Sequence, residues 1–375
     1  MRSLRLLSAL LLVGAVLSAS GFPAGAVSFE WVIIDDAGNP PDDQVMSCCK
    51  ESKGMSGFGS VSYVFRIAQT EVTNAQYAEF LNAVAANGDP NGIFNERSVI
   101  TRLGTGPPYA YEVRAGLENR PAGWINFFDA LRFANWLHNR QPTGLQDETT
   151  TEDGAYPLLG ANPLVVERKE GATFFVPSED EWYKAAFWDP FEQRYWDFAT
   201  GFNPQCPELD GDCPPLPEPP PGGPDRVSAN YCPDPIDFPS PINCPPSWPA
   251  TTGPGEATDV GAYVFSPSPF GTLDQAGNLA ESTEGINIDD DLSDGSGGLE
   301  TRVFRGGLWI RGVGDMSASY RTVVDPNGGS LSLLGLRVAT VPEPGAAAGV
   351  VALGLVLGLS RRSTRRAAGR GGSLT

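Results

Sequence analysis

Residues 65–81 read FRIAQTEVTNAQYAEFL and join an alternating segment to an amphipathic one. Apolar and polar residues alternate over residues 63–68, which predicts a strand. Thr73 followed by Gln76 has the spacing of a capping box, a pattern that begins many helices. The apolar residues that follow fall on one helical face, and they are Tyr77, Phe80, Leu81 and Val84. The stretch therefore predicts a strand that leads directly into a capped helix.

Two further segments carry the same kind of helix signal. Residues 126–137, NFFDALRFANWL, predict a helix whose buried stripe consists of Ala130, Phe133, Ala134 and Leu137. Another helix is expected to begin near Pro177, with Ser178 as its cap and Glu181 completing the capping box. Short helices separated by long loops predict an α+β domain.

Six blocks in a fixed order resemble the formylglycine-generating enzyme, or sulfatase-modifying factor, family. The blocks are residues 65–81, 120–137, 176–186 (VPSEDEWYKAA), 270–281 (FGTLDQAGNLAE), 302–309 (RVFRGGLW) and 335–338 (GLRV). The resemblance spans about residues 57–340. It implies the α+β, loop-rich sulfatase-modifying-factor fold, which is related to the C-type-lectin fold.

The chain departs from this family at the positions that carry its chemistry. The family oxidises a sulfatase cysteine to formylglycine, and two cysteines after the RGG block hold copper and the substrate thiol. The matching positions here are Arg311 and either Asp315 or Met316. None of them is a thiolate, the soft ligand that selects Cu(I). We therefore expect no copper and no formylglycine-generating activity, and we interpret Met316 as a packing residue.

Related iron-dependent sulfoxide synthases bind their metal through several histidines. This chain contains one histidine, His138, next to Trp136 and Leu137 at a predicted helix end. A single histidine in that position is typical of a surface or capping residue. Arg305 and Arg337, in the RGG and GLR blocks, are expected to be structural arginines paired with acidic residues.

The resemblance also implies a structural calcium site. The block DQAGNLAE at residues 274–281 matches the calcium-binding turn of the family. The implied ligands are, by side chain, Asp274 and Glu281 and, by main-chain carbonyl, Gly277 and Leu279. Such mixed oxygen ligands suit Ca²⁺. The tryptophans that flank this glutamate in the family are Ala280 and Ser282 here, and a second calcium site would begin at Asn230 and Tyr231.

The composition limits the classes of partner. The formal net charge is −19, and residues 1–26 and 361–375 together hold seven arginines and no acidic residue, so the rest of the chain is still more acidic. Such a surface repels nucleic-acid phosphates, so we expect no nucleic-acid partner. The six cysteines are Cys48, Cys49, Cys206, Cys213, Cys232 and Cys244. We expect disulfides, with a zinc site as the alternative.

The two ends of the chain predict export. Residues 1–26 have the charged, apolar and small-residue order of a signal peptide. Residues 341–366 (VPEP, an apolar segment, an arginine cluster) resemble the PEP-CTERM sorting tail, which implies an exosortase-type processing enzyme. An ordinary membrane anchor is the alternative for this tail. Residues 27–56 form an extension, and a proline- and cysteine-rich insertion occupies about residues 203–254 of the 57–340 domain.

These observations favour a non-catalytic binding or structural module of the cell envelope or extracellular matrix. Residues 87–119 and 206–254 are long loops that suit ligand binding on such a scaffold. The expected partners are extracellular polysaccharide or envelope proteins. The alternative is a formylglycine-generating-like oxidase, or another enzyme, that uses residues not recognised in the sequence.

Overall fold

The structure, a computed structural model, describes residues 26–46, 54–159, 166–200, 229–230, 257–288, 300–311, 313–326 and 333–341. The strands are β1 (Trp31–Ile34), β2 (Phe65–Ala68), β3 (Ile100–Leu103), β4 (Ala110–Val113), β5 (Phe174–Phe175), β6 (Trp188–Asp189), β7 (Arg194–Tyr195), β8 (Ala280–Ile288), β9 (Glu300–Arg305), β10 (Thr322–Val324), β11 (Leu334–Gly335) and β12 (Ala339–Thr340). The helices are α1 (Asn74–Val84), α2 (Phe127–His138), α3 (Glu179–Phe187) and a 3₁₀ turn (Val313–Met316).

Several predicted features lie outside these residues. They are the signal segment up to residue 25, the sorting tail beyond residue 341, all six cysteines, Tyr231 and most of the 203–254 insertion. Within the described ranges, no helix is both long enough and apolar enough to cross a membrane.

All three α-helices begin with a capping box. The predicted boxes at Thr73 and Ser178 are confirmed, because each cap side chain accepts a hydrogen bond from the amide of the third helical residue, and the cap amide donates one to the side chain of that residue. Helix α2 has a box that the sequence analysis missed, formed by Asn126 and Asp129. These caps satisfy amide groups that have no partner within the helix.

Two four-stranded sheets organise the domain. The first has the strand order β1-β2-β12-β5, and the second has the order β10-β9-β8-β11. The predicted strand at residues 63–68 begins at Phe65, because the register with β1 starts at the pair Phe65 and Ile34. Short hairpins pair β3 with β4 and β6 with β7. The α+β, loop-rich prediction is confirmed.

Helices α1 and α2 share an aromatic core. Phe80 packs against Phe133 and Trp136 with ring centroids 5.3 Å apart in both pairs, and Tyr77 stacks on Phe133 at 6.0 Å. The apolar stripes predicted on both helices are buried. A second core cluster surrounds Trp182 on α3 and faces the later part of the chain. Ala276 and Met316, which belong to two of the segments singled out in the sequence, are members of this second cluster.

Candidate functional site

Residues 274–281 form a tight turn that leads into β8. Asp274 and Asn278 have φ angles of 62° and 59°, in the left-handed region that these residue types tolerate best after glycine. Gly277 has a φ of 83°, and a Cβ there would lie 2.1 Å from the carbonyl oxygen of Asn230. Only glycine fits at that position. The same carbonyl accepts a hydrogen bond of 2.9 Å from the Asn278 amide, which holds the turn against the Asn230 segment.

Glu281 at the end of this turn is fully engaged with protein groups. Its Oε1 accepts a hydrogen bond of 2.6 Å from Nη2 of Arg337, and its Oε2 accepts bonds from Nε of Arg337 at 2.8 Å and from Nε1 of Trp182 at 2.7 Å. The remaining guanidinium bonds of Arg337 go to the carbonyl oxygens of Ala68, Gln69 and Leu273. Arg337 therefore joins the 274–281 turn to the first sheet.

Two more buried carboxylates lie near this pair. Glu71 receives hydrogen bonds from the Leu279 amide at 3.0 Å and from Nδ2 of Asn278 at 2.8 Å. Burial, together with the charges of Asp274 and Glu281, raises the pKa of Glu71 well above its ordinary value. Three carboxyl groups thus share the positive charge of Arg337.

Asp274 is the least satisfied of the three carboxyl groups. Its Oδ2 accepts a hydrogen bond from the Gly261 amide, whereas its buried Oδ1 has no hydrogen-bond partner among the described residues. Burial, with a smaller contribution from the charge of Glu281, raises the pKa of Asp274 to about 6. An unpartnered buried carboxylate oxygen is costly, so a bound cation or a proton would stabilise Oδ1 of Asp274.

The predicted calcium ligands fit an ion unequally. Asp274 has a free oxygen for a cation, and Gly277 and Leu279 lie in the same turn, whereas both oxygens of Glu281 are held by Arg337 and Trp182. In the part of the chain that the structure describes, no three or more acidic, histidine or cysteine side chains are arranged to hold a metal ion. Asn230 lies beside Gly277 rather than at a separate place. Calcium binding remains a prediction, and it depends on Asp274.

The positions that match the copper cysteines pack against the RGG block. Met316 is buried in the second core cluster beside Trp182, in the packing role predicted for it. A Cβ on Gly307 would lie 2.8 Å from the carbonyl oxygen of Asp315 and 3.0 Å from Cγ of Met316. Arg311 points outward, with Nε 4.0 Å from Oδ2 of Asp315. The segment is closely packed. Of the three positions that match the copper cysteines, only Met316 offers a sulfur atom, and that thioether is buried.

A second buried ion-pair cluster lies at the start of α3. Glu179 accepts hydrogen bonds from Arg305 at 2.6 and 2.9 Å and from Arg321 at 2.8 and 3.0 Å. Both arginine side chains are only 1% exposed. Arg305 and Arg337 are therefore buried and paired with acids, as predicted from the sequence. His138 ends α2, and its Nδ1 accepts a hydrogen bond of 3.1 Å from the Thr173 amide.

A surface groove of about 270 Å³, which we name the tryptophan groove, opens beside the turn at residues 274–281. Its walls come from the start of α1, the base of the β3–β4 hairpin, the 117–124 loop and the RGG block. The residues that line it are Asn74, Ser98, Val99, Arg114, Leu117, Arg120, Pro121, Gly123, Trp124, Ala257, Leu279 and Trp309. Distant parts of the chain thus form one cleft with two tryptophans and two arginines.

Trp124 has an unusual backbone in this groove. Its φ is 61°, which is an outlier for a bulky side chain and costs about 1–3 kcal/mol. The ring is half-buried, and the guanidinium of Arg97 lies 5.5 Å from its centroid. Strained residues concentrate at binding sites, which makes Trp124 a candidate contact residue.

The sequence analysis did not identify this groove. It selected the loop at residues 87–119 for ligand binding, which contains Ser98 and Arg114, but it missed Trp124 and Trp309. Both tryptophans occur inside the family-like blocks, where they read as scaffold residues. The sequence feature that could have identified both tryptophans is their position directly after the motifs RPAG and RGGL.

Comparison with known proteins identifies a related domain. Residues 60–208 match the family described as the sulfatase-modifying factor enzyme 1-like domain. A domain similar to that family is therefore present in the first part of the predicted 57–340 region. No curated protein matches the chain.

Solved structures similar to the chain include three proteins of low sequence identity. Treponema denticola variable protein 1 is 18% identical with a TM-score of 0.46, covering 86% of this chain and 98% of that chain. CarF is 16% identical with a TM-score of 0.47, covering 84% of this chain and 99% of that chain. PvdO from Pseudomonas aeruginosa is 16% identical with a TM-score of 0.41, covering 84% and 95%.

Proposed function

We propose that this protein is a non-catalytic binding module of the cell envelope or extracellular matrix, whose ligand occupies the tryptophan groove. The observation that carries the proposal is the groove itself, where Trp124 and Trp309 face the same cleft as Arg114 and Arg120. Ligand sites are concave and combine aromatic surfaces with a few polar groups. The absence of cysteine at Arg311, Asp315 and Met316 supports binding rather than oxidation.

The proposed location rests on the ends of the sequence. A signal-like segment at residues 1–26 and a PEP-CTERM-like tail at residues 341–366 support export followed by processing by an exosortase-type enzyme. The acidic composition suits a soluble surface outside the cell. Extracellular polysaccharides and envelope proteins are the partners we propose.

Replacing Trp309 with alanine is expected to weaken ligand binding by about tenfold or more, since stacking on an aromatic ring and its buried area contribute at least about 1.4 kcal/mol. The measurement is binding of purified wild-type and W309A protein to a glycan array and to isolated envelope polymers. The control is Phe191→Ala, which removes an aromatic ring that is 92% exposed and lies outside the groove. Equal binding by W309A and F191A would place the ligand elsewhere, and the absence of any wild-type binding would refute the proposed function.

We also propose that Asp274 holds a structural Ca²⁺ through its unpartnered Oδ1, with carbonyl oxygens of the same turn. Calcium binding stabilises the folded chain by about 2.7 kcal/mol at a hundredfold excess over Kd. Thermal unfolding of the wild type is therefore expected to shift upward in calcium relative to EGTA, whereas Asp274→Asn shows no shift. The exposed Asp43→Asn variant should respond as the wild type does. An equal shift in all three proteins would argue against ligation by Asp274.

A further inference from the structure

We infer that the tryptophan groove continues into a second, arginine-lined groove and that the ligand is an acidic polysaccharide bearing carboxylate groups. This inference rests on the proposed function, and it adds the chemical class of the ligand. The second groove, which we name the hairpin groove, has a volume of about 500 Å³. It is lined by Phe94, Glu96, Arg97, Ser98, Ile100, Thr101, Arg102 and Arg114.

The two grooves share part of their walls. Ser98 precedes β3 and Arg114 follows β4, so the base of this hairpin borders both clefts. Trp124 lines the tryptophan groove and lies beneath Arg97, a residue of the hairpin groove. One continuous surface therefore leads from Trp309, past Arg114, to the arginines of the hairpin. Such a path suits an extended chain rather than a single small molecule.

Aromatic rings lie against two of the arginines of this path, Arg97 and Arg102. The guanidinium of Arg102 lies 4.8 Å from the ring centroid of Tyr109 and 5.1 Å from that of Phe94. Arg97 is placed in the same way over Trp124 at 5.5 Å. Contacts of this kind restrict the rotamers of long cationic side chains and lower the entropy lost when they bind an anion.

Arg97, Arg102 and Arg114 have no strong acidic partner among the residues that the structure describes. Among the described residues, Arg97 and Arg114 make no ion pair, and Arg102 makes one loose pair, with Nη2 3.8 Å from Oε1 of Glu96. That glutamate side chain is 84% exposed, so the pair contributes little. Exposed cations that make no close ion pair stand out in a chain with a net charge of −19. The path is thus complementary to an anion.

The combination of cationic groups and aromatic rings along the path suits an acidic polysaccharide. Guanidinium groups bind carboxylates through two parallel hydrogen bonds, and sugar rings between the carboxylates offer apolar faces to tryptophan. A nucleic acid also has negative charge and stacking surfaces. The export signals proposed at the two ends of the sequence favour the polysaccharide, because the protein would meet it outside the cell, and DNA is therefore tested as the competing ligand.

The double variant Arg97→Gln with Arg114→Gln tests this inference. Binding of full-length protein to polygalacturonate, a polymer of carboxylated sugars, is measured by titration calorimetry for the wild type and the variant. We expect the variant to bind at least about tenfold more weakly, because each substitution removes a charge-assisted, two-pronged hydrogen bond to a carboxylate. The control is Arg140→Gln with Arg194→Gln, which removes the same charge at exposed positions outside both grooves. It should bind as the wild type does.

The outcomes separate this inference from the proposed function. Wild-type binding to neutral amylose in a Trp309-dependent manner, without binding to polygalacturonate, would overturn the inference and leave the proposed function standing. Equal losses in both double variants would also overturn it, since they would show a nonspecific charge effect. Tighter binding to single-stranded DNA than to polygalacturonate would identify a different class of ligand. Unchanged circular dichroism spectra establish that each variant is folded.

Discussion

Replacement of Arg337 by methionine is expected to lower the free energy of unfolding by about 3–5 kcal/mol, the loss typical of a buried ion pair that loses one partner. Arg337 is completely buried, and its five hydrogen bonds go to both oxygens of Glu281 and to three carbonyl groups. Methionine fills part of the space but leaves Glu281 without a cation beside Glu71 and Asp274. Three buried carboxyl groups would then face one another without a positive charge.

Chemical denaturation of the wild type and R337M provides the measurement. The matched control is Arg311→Met, because the Arg311 side chain is 46% exposed and its contact with Asp315 is 4.0 Å long. That change should alter the free energy of unfolding by less than about 0.5 kcal/mol. Similar losses in the two variants would contradict the structural role assigned to Arg337. If R337M does not accumulate as folded protein, Arg337→Lys, which keeps the charge, should recover part of the stability.

Replacement of Glu179 by glutamine is expected to lower the free energy of unfolding by about 3 kcal/mol or more, since it leaves two buried guanidinium groups unneutralised. The side chain keeps its shape, so the loss reports charge rather than packing. The control is Glu192→Gln, whose side chain is 56% exposed and pairs with Arg194. The control should lose less than about 1 kcal/mol.

The effect at Glu179 depends on pH in a defined direction. Burial raises the pKa of Glu179, but the charges of Arg305 and Arg321 outweigh burial and hold this pKa below its ordinary value. The ionised form therefore stabilises the fold fully above the unfolded pKa of about 4.3, and this contribution falls as the pH drops through the folded pKa. The difference between the wild type and E179Q should narrow in acid. A difference that widens as the pH falls would contradict this assignment.

The local features of the fold were predictable from the sequence because they depend on neighbouring residues. A capping box needs two residues three positions apart, as Thr73 with Gln76 and Ser178 with Glu181, and both boxes form. The apolar stripe on α1 is likewise a matter of spacing within one helix. These local patterns also predicted an α+β domain, and the resemblance of the sequence blocks added the particular loop-rich fold.

The candidate site was harder to predict because distant segments form it. Glu281 and Arg337 are 56 positions apart, so a pairing of Arg337 with an acid was expected but its partner was not. The tryptophan groove joins the 117–124 loop to Trp309, and no local periodicity relates them. The sequence identifies the residues that belong to the site, but which of them come together depends on the order of the strands in the sheets and on the loops between the strands.

The strand order of the first sheet has a consequence for the order in which the domain is completed. β12, at Ala339–Thr340, lies between β2 and β5 and pairs with both. Synthesis begins at the amino terminus, so this inner strand of the sheet is the last of its four strands to emerge from the ribosome. Until then β2 and β5 each have one edge without its native neighbour, and such edges pair readily with other chains. The first sheet is therefore completed only after nearly the whole domain has been synthesised. In a chain that stops before residue 339, the edges of β2 and β5 that β12 would cover stay unpaired.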